Sequence, residues 1–320
     1  TLSPSSAASD VYKRQELYSD IPPAVRLKKR LKIPGPLTEQ EVLKRVRELL
    51  TDVKTVLDMP VFLGAGCWPH YVPTAVDFIV ARTEFYTSYT PYQPEVSQGM
   101  LQALWEYQSL ICELTAMDVA NCSLYDWASA LGEAARMAVR VTGRKRVLVP
   151  KIIHPERLEV LKAYAEPAGI RVEQISYEPE TGQMDLEDLK AKMGPDVAAV
   201  YVENPSYLGF VETHVRTIGE IAHDQGALFI VGVDPISLGI LEAPGNYGAD
   251  IVVGEGQPLG NHLNFGGPLL GIMACRADRR LIWQMPGRII GLTVDAEGRK
   301  AFCMALQARE QHIRREKASS

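Results

Sequence analysis

From residue 89 to residue 99 the chain reads Tyr-Thr-Pro-Tyr-Gln-Pro-Glu-Val-Ser-Gln-Gly. Pro91 and Pro94 lack backbone donors and bar regular helix or ladder pairing across the segment. Tyr89, Tyr92, Gln93, Glu95 and Gln98 all hydrogen-bond and are costly to bury in a dry core. On a rigid loop, such groups could hold and orient a small polar ligand. The plainer alternative is a stiff turn leading into the next helix with its tyrosines half buried. His70, in Trp68-Pro-His-Tyr-Val-Pro, is a second candidate, either facing a ligand or satisfied by backbone as a structural histidine. Arg288, in Pro-Gly-Arg, could engage a carboxylate but reads as structural.

The elements that must position these groups follow from pattern. Thr38 and Glu41 have the spacing of a capping box and open a helix over Leu37–Leu50. A Pro/Gly-rich stretch runs from Pro60 to Pro73. Met100, Leu104, Tyr107, Ile111 and Leu114 step by four and three residues, the stripe of a buried amphipathic helix. Asp126 is placed to cap a helix whose alanines permit close packing. Strand-like runs follow at Arg146–Val149, Arg171–Ile175, Ala198–Val202, Leu228–Val233, Ile251–Val253 and Leu269–Ala274. Helical patterns at Glu156–Ala165, Leu186–Met193 and Arg216–Gln225 alternate with them. That order predicts an α/β protein with a mostly parallel sheet covered on both faces, and ligands in such sheets bind beyond the carboxyl ends of the strands. Three of those ends are polar: Glu203-Asn204, Asp234, and Gly254-Glu255-Gly256-Gln257.

Composition narrows the function classes. The chain has 320 residues, 46% of them hydrophobic and 23% charged, enough to bury a large core and unlike a disordered segment. A net charge of −5 with no dominant basic stripe argues against nucleic acid, and Arg26–Lys32 reads as a solvated surface. No apolar run approaches the ~20 residues of a membrane helix. Five cysteines without a CxxC pair, and six histidines without metal-ligand spacing, suit reduced thiols in a cytoplasmic protein rather than disulfides or zinc. Thr1–Gln15, with its Ser, Ala and Lys-Arg-Gln, reads as a non-native leader without the apolar core of a signal peptide.

The strand-end spacing resembles the large domain of aminotransferase-like, fold type I pyridoxal-phosphate enzymes. In them an Asp pairs with the pyridine nitrogen and a Lys beyond the next strand holds the aldehyde. Asp234 stands at the first position, but Gln257 stands at the second, and no lysine lies between Lys192 and Lys300. More specifically, Tyr18–Arg26, Phe62–Pro73, Glu84–Gly99, Tyr107–Ala134, Gly248–Gly260, Asn264–Pro268, Pro286–Gly291 and Gln307–Ala318 resemble motifs of the glycine cleavage system P-protein family. The likeness is to the subunit of its two-chain form that lacks the cofactor lysine.

The resemblance implies a fold type I large domain over 84–285, preceded by a helical and loop arm over 16–83. From 286 to 320 it implies the start of a C-terminal domain cut short, with 1–15 outside the fold. It implies glycine decarboxylation with a second subunit that holds pyridoxal phosphate, and aminomethyl transfer to the lipoyl group of the H-protein. Tyr89, Tyr92, Gln93, Glu95, Gln98 and His70 are then this chain's expected contributions at the subunit interface. Asp234 and Gln257 are expected to be vestigial, and the Gly266-Gly267 pair to allow a tight turn. Two other readings stand beside it: a purely structural or regulatory partner, and an independent enzyme using Lys145, Lys151 or Lys162, disfavoured because these lysines lie around the first strand and its helix.

Overall fold

The structure, a computed structural model, describes residues 18–29, 31–62, 66–86, 89–91, 93–265 and 267–305. The expectations for Thr1–Gln15, Tyr92, Gly266 and the 307–318 motif lie outside the described residues. The chain forms two compact units, Thr1–Pro60 and Val61–Ser320.

In the first unit, α1 (Glu39–Leu50) begins with the expected capping box. Thr38 N–H donates to Glu41 Oε2 at 2.8 Å, and Thr38 Oγ1 accepts from Glu41 N–H at 3.4 Å.

The second unit begins with α2 (Thr74–Val80), α3 (Pro94–Thr115), β1 (Val119–Ala120), α4 (Trp127–Thr142), β2 (Arg146–Pro150), α5 (Pro155–Ala165) and β3 (Arg171–Ile175). It continues with α6 (Leu186–Lys192), β4 (Val197–Glu203), α7 (Val215–Asp224), β5 (Leu228–Val233), β6 (Ile251–Glu255), β7 (Gly271–Cys275) and α8 (Arg279–Gln284). A hairpin of β8 (Ile289–Val294) and β9 (Lys300–Ala305) follows. The seven-stranded sheet has the order β1-β7-β6-β5-β4-β2-β3. Its strands β2 to β6 pair in parallel, while β7 and β1 add an antiparallel edge. The expected α/β architecture is therefore present.

Alternation along the strands builds two cores, one on each face. Val147, Val149, Tyr201, Ile230, Ile251 and Val253 pack on one side under α4, α5 and α8. Leu148, Val200, Phe229, Val231, Val252 and Ile272 pack on the other, with α3, α6 and α7.

Helix α3 buries a different stripe from the expected one. Leu101, Gln108, Ile111 and Thr115 are buried, whereas Leu114 is 37% exposed. Two of these four are polar: Thr115 Oγ1 donates back to Ile111 O of the same helix at 2.7 Å, whereas Gln108 faces strand backbone. Gln108 Oε1 accepts from Ile290 N–H at 2.9 Å and its Nε2 donates to Ile290 O at 3.1 Å, so one side chain satisfies both backbone groups of a β8 residue. Gln98 repeats the pattern on Phe302 of β9, both at 2.8 Å.

Gln108→Ala strands a buried donor and a buried acceptor on β8. It should cost about 2–4 kcal/mol in urea unfolding at unchanged slope, with the hairpin amides losing hydrogen-exchange protection.

Candidate functional site

A cleft of about 670 Å³ opens beyond the carboxyl ends of β4 and β5. Trp68, Trp127, His154, Arg157, Tyr207 and Asp234 are among the residues that line it. Asp234 follows β5 and caps the short turn behind it, its Oδ1 accepting from Ile236 N–H at 3.0 Å. Burial pushes its pKa up; the Ile236 hydrogen bond and the charge of nearby His70 act the other way. His70 lies behind Trp68, its Nδ1 donating to Trp68 O at 2.8 Å with the two rings 5.8 Å apart. The backbone bond agrees with the structural reading of His70, which is not among the residues that line the cleft.

Beneath the cleft is a network that the sequence did not announce. Arg157, in the first turn of α5, grips Glu203 at the end of β4 in bidentate fashion, at 2.7 and 2.9 Å, with both residues buried. The guanidinium lies 3.8 Å above the Trp127 ring. Trp127 Nε1 donates to Tyr201 Oη at 3.1 Å, and Tyr201 Oη donates to Glu203 Oε1 at 3.2 Å. Burial and the Glu203 carboxylate hold the Tyr201 phenol well above its usual range. Gly232 is what allows the packing, since an added Cβ would meet Tyr201 Oη and the Trp127 ring inside 3.0 Å. Beside Arg157, the His154 ring packs edge-on against Tyr207, 5.5 Å between centroids. Burial, with the Arg157 charge, lowers the His154 pKa.

The second cluster lies around Gln257. Glu255, at the end of β6, is 1% exposed. Its Oε2 accepts from Trp127 N–H at 3.2 Å, and its Oε1 from Gln257 N–H at 3.0 Å and Leu270 N–H at 2.7 Å. Burial raises its pKa to about 6 against the pull of those three donors. Gln257 is equally buried, with Nε2 donating to Asn261 O at 2.5 Å and Oε1 left without a donor. Asp126 caps α4 as expected, Oδ1 accepting from Ser129 N–H at 2.6 Å. Gly267 closes the expected tight turn, its N–H donating to Asn264 O at 3.1 Å, and an added Cβ there would come no nearer than 3.8 Å to another atom.

The Tyr89–Gln98 segment is not brought to this cleft: none of its described residues lines it. Tyr89 is fully exposed, Gln93 and Glu95 are exposed at the start of α3, and the Gln93 side chain makes no cap bond. Gln98 differs from its expected role as a ligand-orienting group. Its amide is committed to Phe302 and to Pro94 O, which makes it a strap holding the first turn of α3. Tyr89, Gln93 and Glu95 therefore face solvent, whereas Asp234 lines the cleft.

Pyridoxal phosphate does not fit the crevice of this chain. The position expected to supply an amine holds a buried amide, Gln257. The N-terminus of α4, where backbone N–H groups favour an anion, is capped as expected by Asp126 and also holds Glu255, two of the chain's own carboxylates. Among the described residues no group of His, Cys, Asp and Glu side chains could hold a metal ion, and no helix is long and apolar enough to cross a membrane.

These features define an aminotransferase-like α/β chain with a mostly parallel sheet. The model of the glycine cleavage system P-protein family matches residues 11–320, and the chain belongs to that family. It is 56% identical over 307 residues to the probable glycine dehydrogenase (decarboxylating) subunit 1 of Pyrococcus abyssi, covering 95% of this chain and 68% of the relative. With the protein of the same name from Thermococcus onnurineus it shares 54% over 306 residues, 96% of this chain and 68% of that one. A crystal structure of glycine decarboxylase (P-protein) of the glycine cleavage system, in inhibitor-bound form, superposes with a TM-score of 0.85 at 44% identity. That superposition spans 98% of this chain and 70% of the other.

Two outcomes follow. Arg157→Met leaves Glu203 buried and unpaired, and should lower unfolding free energy by about 3–5 kcal/mol in urea titrations. Because the folded chain binds the Glu255 proton more tightly than the unfolded chain does, the contribution of this group is full below about pH 4.5. It is lost as the pH rises toward about 6, by ~2 kcal/mol. Unfolding measured across that window in wild type and Glu255→Gln should show this falling component only in the wild type.

Proposed function

We propose that this chain is the subunit of a heteromeric glycine decarboxylase, glycine dehydrogenase (aminomethyl-transferring), that lacks the cofactor lysine. It would act with a second subunit that binds pyridoxal phosphate. Together they would remove the carboxyl group of glycine as CO2 and deliver the aminomethyl group to the lipoyl arm of the H-protein. The observation that carries this reading is the buried amide of Gln257 where an amine would be needed, in a chain of the P-protein family. Pyridoxal phosphate, when bound to the partner, supplies the electron sink for loss of the carboxyl group.

What remains for this chain is to hold a small substrate and exclude water from it, which requires groups presented at a subunit boundary. Tyr89, Gln93 and Glu95, together with Tyr92, are our assignment for that role, because they are polar and lead into a helix anchored by Gln98. His70 is assigned with them as the histidine beside Asp234. The chain alone is then inactive.

Co-expressed with the second subunit, the chain should co-purify with it and catalyse glycine–bicarbonate exchange. Gln93→Ala and Tyr89→Phe should leave assembly intact and slow exchange by about 10–100-fold. Exchange at the wild-type rate in both variants would instead favour a structural or regulatory partner.

Mixed by itself with pyridoxal phosphate, the purified chain should develop no internal-aldimine absorbance, and borohydride should attach no label to it. A borohydride-fixed label on Lys145, Lys151 or Lys162 would revive the independent enzyme.

A further inference from the structure

We propose that Glu255 is a built-in anion: its carboxylate occupies a nest formed by the backbone N–H groups of Trp127, Gln257 and Leu270, and thereby closes the N-terminus of α4, whose Trp127 lines the cleft, to external phosphates and carboxylates. The three donors come from three separate segments: the first turn of a 16-residue helix, the turn after β6, and the residue just before β7. They converge on one carboxylate at 3.2, 3.0 and 2.7 Å. Helix capping does not account for this convergence, because Asp126 already caps α4 through Ser129 N–H. Backbone donors at a helix N-terminus favour an anion, and here the anion is covalently attached and 1% exposed. The walls of the nest are held rigidly. An added Cβ on Gly271 would lie 2.5 Å from Asp126 O, and one on Gly256 would lie 2.8 Å from the Leu270 side chain.

This inference goes beyond the decarboxylase reading, since the occupancy by Glu255 needs neither a partner nor glycine.

The test is chemical rescue of Glu255→Ala, which removes Cγ and the carboxylate and leaves a space the shape of acetate. At neutral pH in chloride buffer, the variant of the full chain should melt roughly 5–10 °C below wild type. Replacing chloride by acetate at equal ionic strength should recover at least half of that loss. Wild-type melting should respond to neither acetate nor phosphate, and the surface capping variant Glu41→Ala should not respond to acetate. If Glu255→Ala is unfolded in chloride, acetate should restore a cooperative melt and the far-ultraviolet dichroism of the folded chain. A variant that melts with the wild type, or that behaves alike in acetate and chloride, overturns the proposal. So does stabilisation of the wild type by phosphate, or an acetate response in Glu41→Ala equal to that in Glu255→Ala.

Discussion

The architecture around the crevice depends on the buried pair between Arg157 and Glu203. Taking both charges out of water costs several kcal/mol per ion, and only close geometry with further hydrogen bonds offsets it. Here the guanidinium meets the carboxylate with two parallel bonds, Tyr201 donates to one carboxylate oxygen, and the Trp127 ring lies against the cation. That arrangement locks the end of β4 to the start of α5 and fixes Trp127. Because Trp127 is the first residue of α4, its backbone N–H is thereby aimed at Glu255. Gly232 on β5 follows from the same demand, since a side chain there would displace Tyr201 and Trp127 together. Four elements of the sheet and its helices are thus tied to one ion pair.

Much of the scaffold was legible because its signals are local. The capping box at Thr38 and Glu41, the Asp126 cap and the apolar runs that became β2 to β6 each depend on neighbours a few residues away. The errors arose where a distant element decided the outcome. In α3 the apolar spacing favoured Met100 and Leu114, but Gln108 and Thr115 are buried instead. Gln108 is buried because strand β8, nearly two hundred residues on, offers backbone groups that only a polar side chain can satisfy. The antiparallel edge escaped notice for a related reason. Strand β1 is two residues long and carries no periodicity of its own, existing only as the partner of β7.

The candidate site divides in the same way. Asp234 and Gln257 could be located by their places at strand ends, where an α/β sheet exposes ligand groups. Arg157 could not, because an arginine in a helix's first turn between Glu156 and Leu158 looks like ordinary solvated surface. Its burial becomes evident only once β4 delivers Glu203 to it. Glu255 carried a faint signal as an acid closing a run of valines, but an acid at a strand end is as readily a solvent group as the centre of a backbone nest.

Two kinds of polar surface result, and their contrast bears on where chemistry can occur. Around the crevice the main charged groups are matched internally, Arg157 with Glu203, Glu255 with three amides and Asp126 with Ser129, while His154 Nδ1 and Gln257 Oε1 are buried without a partner. A ligand entering there would have to displace bonds that cost 1–3 kcal/mol each to leave unmade. At the start of α3 the reverse holds, since Tyr89, Gln93 and Glu95 face solvent on a helix end that Gln98 anchors to β9. Such groups lose little by contacting another surface, and their rigid base limits the entropy lost when they do. The same chain therefore combines a crevice whose main charged groups are paired internally with exposed polar side chains at the start of an anchored helix. In the function proposed above, those exposed side chains would be the ones that complete a site on the partner subunit.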